Sequence, residues 1–115
     1  MQIGHIEIFV RDIHRSRKFY EDVLGFEFVV QQGDQFVWLK KGDLEFLLRF
    51  GEKPTHASEY QKTSQAIVFY TEDLPATKYE LERKGLVFKG FDGSENCLTF
   101  TDPDGNWFQL VNPNE

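Results

Sequence analysis

The sequence predicts an α+β fold in which one βαβββ module occurs twice within a single domain spanning residues 1–115. Three observations predict it. A strand-then-helix unit closed by a glycine occurs at His5 to Gly25 and again at Ala66 to Gly85, the paired positions lying 20 and 19 residues apart. Four strand-like runs fit between the two helices, where a ferredoxin-like βαββαβ sandwich, the structural alternative, provides only two. Finally, several runs alternate apolar and mixed residues with a period of two, the pattern of a sheet covered on one face.

The elements follow in order. Ile3 to Val10 places Ile6, Ile8 and Val10 on one side and His5, Glu7 and Phe9 on the other. Asp12 is a helix N-cap, and Ile13, Ser16, Phe19, Tyr20, Val23 and Leu24 form an apolar stripe ending at Gly25. Phe26 to Gln31, Gln35 to Lys40 and Leu44 to Phe50 read as strands separated by Gly-Asp turns. The first module thus spans about residues 1–50. The polar stretch from Gly51 to Ser64, containing Pro54, reads as a connecting loop. The second module, about residues 65–115, repeats the order. Gln65 to Thr71 is a strand, and Asp73 caps a helix with Pro75 in its first turn. Leu86 to Lys89, Asn96 to Thr101 and Trp107 to Asn112 are its remaining strands.

Composition narrows the function. A net charge of −6 disfavours nucleic acid, whose phosphates need a basic surface. The basic cluster Arg11, Arg15, Arg17 and Lys18 is interrupted by Asp12 and followed by Glu21 and Asp22, so it reads as a solvated helix face. No continuous apolar run reaches the length of a membrane span. Cys97 is the single cysteine and can form no intrachain disulfide. With no leader-like run before Ile3, a reducing cytoplasmic location is expected. Asp102-Pro103-Asp104-Gly105-Asn106 lacks the spacing of a calcium loop and is expected to be a turn. His14, on the exposed side of the first helix, and His56, in the loop, lack ligand spacing.

The run "GHIEIFVRDIHRSRKFYEDVLGFEF" resembles the opening of vicinal oxygen chelate proteins, the glyoxalase, bleomycin-resistance and dioxygenase group. "FTDPDGNWFQLVNP" resembles that family's closing hairpin, and "KKGDLEFLL" and "YTEDLPATKYELERKG" resemble its middle segments. Together they cover nearly the whole chain in the right order. The resemblance implies curved mixed sheets, helices on the convex face, a concave ligand cavity and a homodimer.

Active members of that family hold a divalent metal with four side chains, one from the first and one from the last strand of each module. Here those positions are His5 and Glu45 in the first module, and Ala66 and Gln109 in the second. Ala66 has no donor, and the amide of Gln109 adds no charge, so a tightly bound metal cofactor is not expected. Any divalent metal would rest on His5, Glu45 and Gln109. The expected ligand-binding face carries His5, Glu7 and Phe9, then Glu45, Leu47 and Arg49 in the first module. In the second it carries Val68 and Tyr70, then Trp107 and Gln109. On this reading Arg49 meets an anionic ligand group or neutralises Glu45, and Tyr70 with Trp107 forms an aromatic wall or a subunit contact. The leading expectation is binding of a small organic molecule without metal chemistry. A metal-dependent lyase, isomerase or dioxygenase and a partner-interaction domain with a filled pocket are the alternatives.

Overall fold

Residues 1–52 and 56–115 are described in the computed structural model, and the chain divides into two units, Met1–Thr55 and His56–Glu115. Pro54, the residue that marks the connecting loop in the sequence, lies outside the described residues.

The first unit is built on a four-stranded sheet. Its strands are β1 (Ile6–Val10), β2 (Glu27–Gln32), β3 (Phe36–Lys41) and β4 (Leu44–Phe50), in the order β1-β4-β3-β2. β1 and β4 are parallel, and the other pairs are antiparallel hairpins. Helix α1 (Ile13–Lys18) starts where the Asp12 carboxylate accepts the Arg15 backbone N–H at 3.1 Å. It continues not as α-helix but as a π-type turn over Phe19–Val23, with the Leu24 N–H reaching back to Phe19 O. Ile13, Ser16, Tyr20 and Leu24 are all buried, with Phe19 and Val23 at the margin of the expected stripe.

The core lies between this helix and one sheet face. Val10, Tyr20, Val37, Leu39 and Leu48 are fully buried, each such apolar side chain contributing about 1.5–3 kcal/mol. Phe26 links the helical turn to the sheet, its ring 5.2 Å from Tyr20 and 4.9 Å from Phe46. Arg17 fastens the outer side by pairing with Glu21, lying 3.9 Å over the Phe28 ring and donating to the Gln31 amide.

The second unit carries β5 (Ile67–Tyr70), helix α2 (Leu74–Arg83), β6 (Cys97–Thr101) and β7 (Trp107–Val111), with sheet order β5-β7-β6. Asp73 caps α2 by accepting the Ala76 N–H at 3.0 Å, and Pro75 occupies the first turn. Phe69, Phe108 and Phe100, from three adjacent strands, stack nearly parallel across the sheet, and Phe88 meets Phe100 edge-on.

The expected strand over Leu86 to Lys89 is not formed, so this sheet has three strands, not four. The segment still tracks β6. The Lys89 N–H donates to Thr99 O, the Thr99 N–H to Gly90 O, and Phe91 bridges to Leu98. Gly90, at φ +103°, breaks the extended conformation before a ladder can run on. Among the described residues, no helix is long and apolar enough to cross a membrane.

Candidate functional site

The helix-free face of the first sheet carries a connected polar group among aromatic rings. Strand register places Glu7, Leu47 and Trp38 in one row and Phe9, Arg49 and Phe36 in the next, all on one side. His5, immediately before β1, shares that side. Its Nε2 lies 2.8 Å from Glu7 Oε2, while Arg49 Nη1 donates to Glu7 Oε1 at 3.0 Å. The Arg49 guanidinium lies 5.3 Å from the Phe9 ring centre and 5.2 Å from that of Phe36. The His5 ring meets Trp38 edge-on at 4.7 Å, and Trp38 Nε1–H donates to Gln32 Oε1 at 3.1 Å. Leu47 forms the buried floor, while Phe9 remains 45% exposed.

Hydrogen bonds from His5 and then Arg49 hold the Glu7 carboxyl below the usual carboxylate range. The His5, Glu7 and Arg49 side chains are each about a third exposed, so these pairs fix orientation more than they stabilise. A carboxyl whose folded pKa is depressed contributes stability that is complete above its unfolded pKa and lost as pH falls through the folded one. Replacing Arg49 by Gln is expected to raise the Glu7 titration midpoint, as followed by carboxyl ¹³C NMR. An unmoved midpoint would show that Arg49 does not hold Glu7.

Arg49 pairs with Glu7 and not with Glu45. Two same-face steps along one strand span roughly 13 Å, beyond ion-pair reach, whereas a diagonal neighbour on the adjacent strand is within reach of long side chains. Glu45 is exposed at the start of the face. Phe36 and Trp38 are absent from the expected binding set, although alternation with Val37 and Leu39 would have placed them there.

The corresponding face of the second sheet is covered by its own chain. A turn at Tyr60–Lys62 and the residues before it lie across β7. Ala57 O accepts the Trp107 Nε1–H at 2.8 Å, and the Tyr60 ring meets Trp107 edge-on at 5.8 Å. Gln109 donates its amide to Tyr60 Oη at 2.9 Å and to Asp92 Oδ2 at 3.1 Å. Gln61 donates to Phe91 O and Asp92 Oδ1, and Lys89 Nζ to Thr101 Oγ1. Trp107 and Gln109 are consequently buried. Val68 and Tyr70 stay open on edge strand β5, Tyr70 at 74% exposure. Tyr70 pairs with Val111 at the far end of β7, so the expected wall with Trp107 is replaced by Tyr60 against Trp107. Nothing in the loop composition singles out Tyr60 or Asp92. Asp102 spends its carboxylate on Asp104 N–H, Asn106 N–H and the Asn106 amide, which makes the 102–106 stretch a turn as expected.

The donor set does not fit the family's four-ligand metal arrangement. Ala66 has no donor, Gln109 turns its amide nitrogen toward Tyr60 and Asp92, and His5 engages Glu7. Among the described residues, no three His, Cys, Asp or Glu side chains group as metal ligands.

Two sheets, each built from a strand, a capped helix and further strands, define an α+β protein of two related modules. The chain belongs to the Glyoxalase/Bleomycin resistance protein/Dioxygenase superfamily, whose family model matches residues 2–110. A structure from the mobile metagenome of V. Pseudocholerae is similar at 26% identity and TM-score 0.72, covering 100% of this chain and 96% of that one. Lactoylglutathione lyase from Agrobacterium tumefaciens shares the fold at 21% identity and TM-score 0.73, covering 97% and 93%. TnmS3, an antibiotic binding protein from Streptomyces sp. CB03234, does so at 23% identity and TM-score 0.69, covering 98% of each chain.

Proposed function

We propose that this protein binds a small organic molecule on the helix-free face of its first sheet, without a catalytic metal. The observation that carries this reading is the His5–Glu7–Arg49 chain set among Phe9, Phe36 and Trp38 on the helix-free face of the first sheet. Apolar rings with a few fixed polar groups are what small-molecule recognition uses. The description of TnmS3 as an antibiotic binding protein supports the same class of function. The exposed Val68 and Tyr70 on edge strand β5 support pairing of two copies.

A panel of aromatic compounds is expected to raise the melting temperature by mass action, with the gain reduced in Phe9→Ala and Arg49→Ala. No shift with any compound would favour a partner-interaction domain. Protein loaded with Ni²⁺, Zn²⁺, Fe²⁺ or Mn²⁺ is expected to emerge from gel filtration with clearly substoichiometric metal. One tightly held equivalent, lost in His5→Ala, would instead establish the metal-dependent alternative on His5, Glu45 and Gln109.

A further inference from the structure

Among the described residues, Arg49 Nε is the one buried side-chain nitrogen or oxygen without a hydrogen-bond partner. A buried donor left unmatched is costly, and a guanidinium N–H can do nothing but donate. Arg49 stands on β4, with Phe9 of β1 and Phe36 of β3 beside it in the same row. Its Cζ lies over both rings, at 5.3 and 5.2 Å, so packing holds its sides and hydrogen bonding falls to its in-plane N–H groups. Nη1 is used on Glu7 Oε1 at 3.0 Å. Nη2, like Nε, has no hydrogen-bond partner among the described residues. Glu7 cannot serve that second edge, because its other oxygen is turned to His5. The Nε–H and one Nη2–H point the same way, and such a parallel pair of donors grips two oxygens of one carboxylate. The Arg49 side chain is 37% exposed. A ligand therefore meets the fork at Nη2, and reaches Nε once the Phe9 ring, itself 45% exposed, turns aside.

We propose that the ligand of this face is a planar aromatic carboxylate, gripped by Arg49 through Nε and Nη2. The assignment rests on the binding reading above and adds the chemical class. An aromatic carboxylate keeps its two oxygens nearly in the plane of its ring, so a bidentate pair with Arg49 brings the ring in beside Phe9 and Phe36. A neutral amide of the same outline offers one acceptor oxygen and no charge, and so fills the edge less completely. An ammonium group offers no acceptor and faces a like charge.

Three probes with one ring system test this: 2-naphthoate, 2-naphthamide and 2-naphthylmethylammonium, each titrated by calorimetry in the presence of EDTA. 2-Naphthoate is expected to bind the native protein roughly tenfold more tightly than 2-naphthamide, the worth of a hydrogen bond to a charged group at a partly exposed site. The ammonium probe is expected to bind most weakly. In Arg49→Gln the preference for the carboxylate is expected to vanish while the amide still binds. Arg49→Lys keeps the charge without the planar fork, and most of the preference is expected to be lost there too. Unchanged circular dichroism in both variants would show that the fold is intact. The Nε–H signal of Arg49, identified by its loss in Arg49→Lys, is expected to move downfield in ¹H–¹⁵N spectra as 2-naphthoate is added. Equal binding of carboxylate and amide to native protein would overturn the carboxylate assignment and leave the aromatic face standing. A preference undiminished in Arg49→Gln would overturn it by placing the anion elsewhere. A preference undiminished in Arg49→Lys, or an unmoved Nε–H signal, would overturn the grip through Nε and Nη2. A preference that appears only when EDTA is replaced by a divalent cation would overturn it in favour of a metal-bridged contact. Failure of all three probes to bind would overturn the binding reading itself.

Discussion

Phe108→Ala is expected to lower the unfolding free energy by about 3–5 kcal/mol, the range for truncating a large buried aromatic side chain. Phe108 is fully buried on the central strand of the second sheet, with Phe69 at 5.6 Å and Phe100 at 5.2 Å on either side. Removing the middle ring deprives both neighbours of a packing face, and rings tied to separate paired strands have little freedom to collapse into the space. Urea unfolding checks it, read as a lower midpoint at constant slope. Phe108→Leu keeps much of the volume and is expected to lose less. A loss below about 1 kcal/mol in the alanine variant would mean that the stack is not the centre of this core.

Gly105→Ala is expected to cost about 2–3 kcal/mol, through two separable terms. Gly105 sits at φ +89°, where a side chain strains the backbone by roughly 1–2 kcal/mol. A Cβ there would also come within 2.5 Å of His56 Cγ, so the His56 ring must move. His56 begins the segment that continues through Ala57 and Tyr60 over Trp107 and Gln109. In a His56→Ala background the same Gly105→Ala change is expected to cost less, because the steric term is gone and the backbone term remains. With Trp38 replaced by Phe, Trp107 is the only indole left, since the chain has two Trp. Acrylamide is then expected to quench Trp107 more strongly in Gly105→Ala than in its parent. Equal quenching would show that His56 does not anchor the covering segment.

Much of the fold was legible in the residues themselves. Alternation in Ile6–Val10 separated a buried face from an open one, because a strand's side chains must take opposite sides, whereas in Leu44–Phe50 burial runs through Phe46, Leu47 and Leu48 and leaves Leu44 exposed. Asp12 and Asp73 marked both helix starts, since each offers a carboxylate to otherwise unpaired N–H groups. The π-type turn at Phe19–Val23 carried no such mark. Its hydrogen bond spans five residues where an α-helix spans four, and the spacing of Ile13, Ser16, Tyr20 and Leu24 suits an ordinary α-helix as well. Leu86 to Lys89 has the composition of a strand, but whether it joins β6 depends on backbone pairing that Gly90 interrupts. Within the site, Glu7 was placed on the same face as its neighbour His5, but its pairing with Arg49 was not assigned, because that contact depends on strand register.

The sequence by itself determined the two-module plan and the side of each strand on which His5, Glu7, Arg49, Trp107 and Gln109 stand. It also determined that Ala66 cannot ligate a metal, since that is a matter of side-chain chemistry alone. The coverage of Trp107 and Gln109 by a segment of their own unit could be seen only in three dimensions. Trp107 and Gln109 have the residue types of a binding wall, yet Ala57, Tyr60 and Asp92 take up their hydrogen bonds. The physical reason is that a hydrogen bond or an edge contact is fixed by position in space. Tyr60 and Gln109 are 49 residues apart in the chain, and no local pattern connects them.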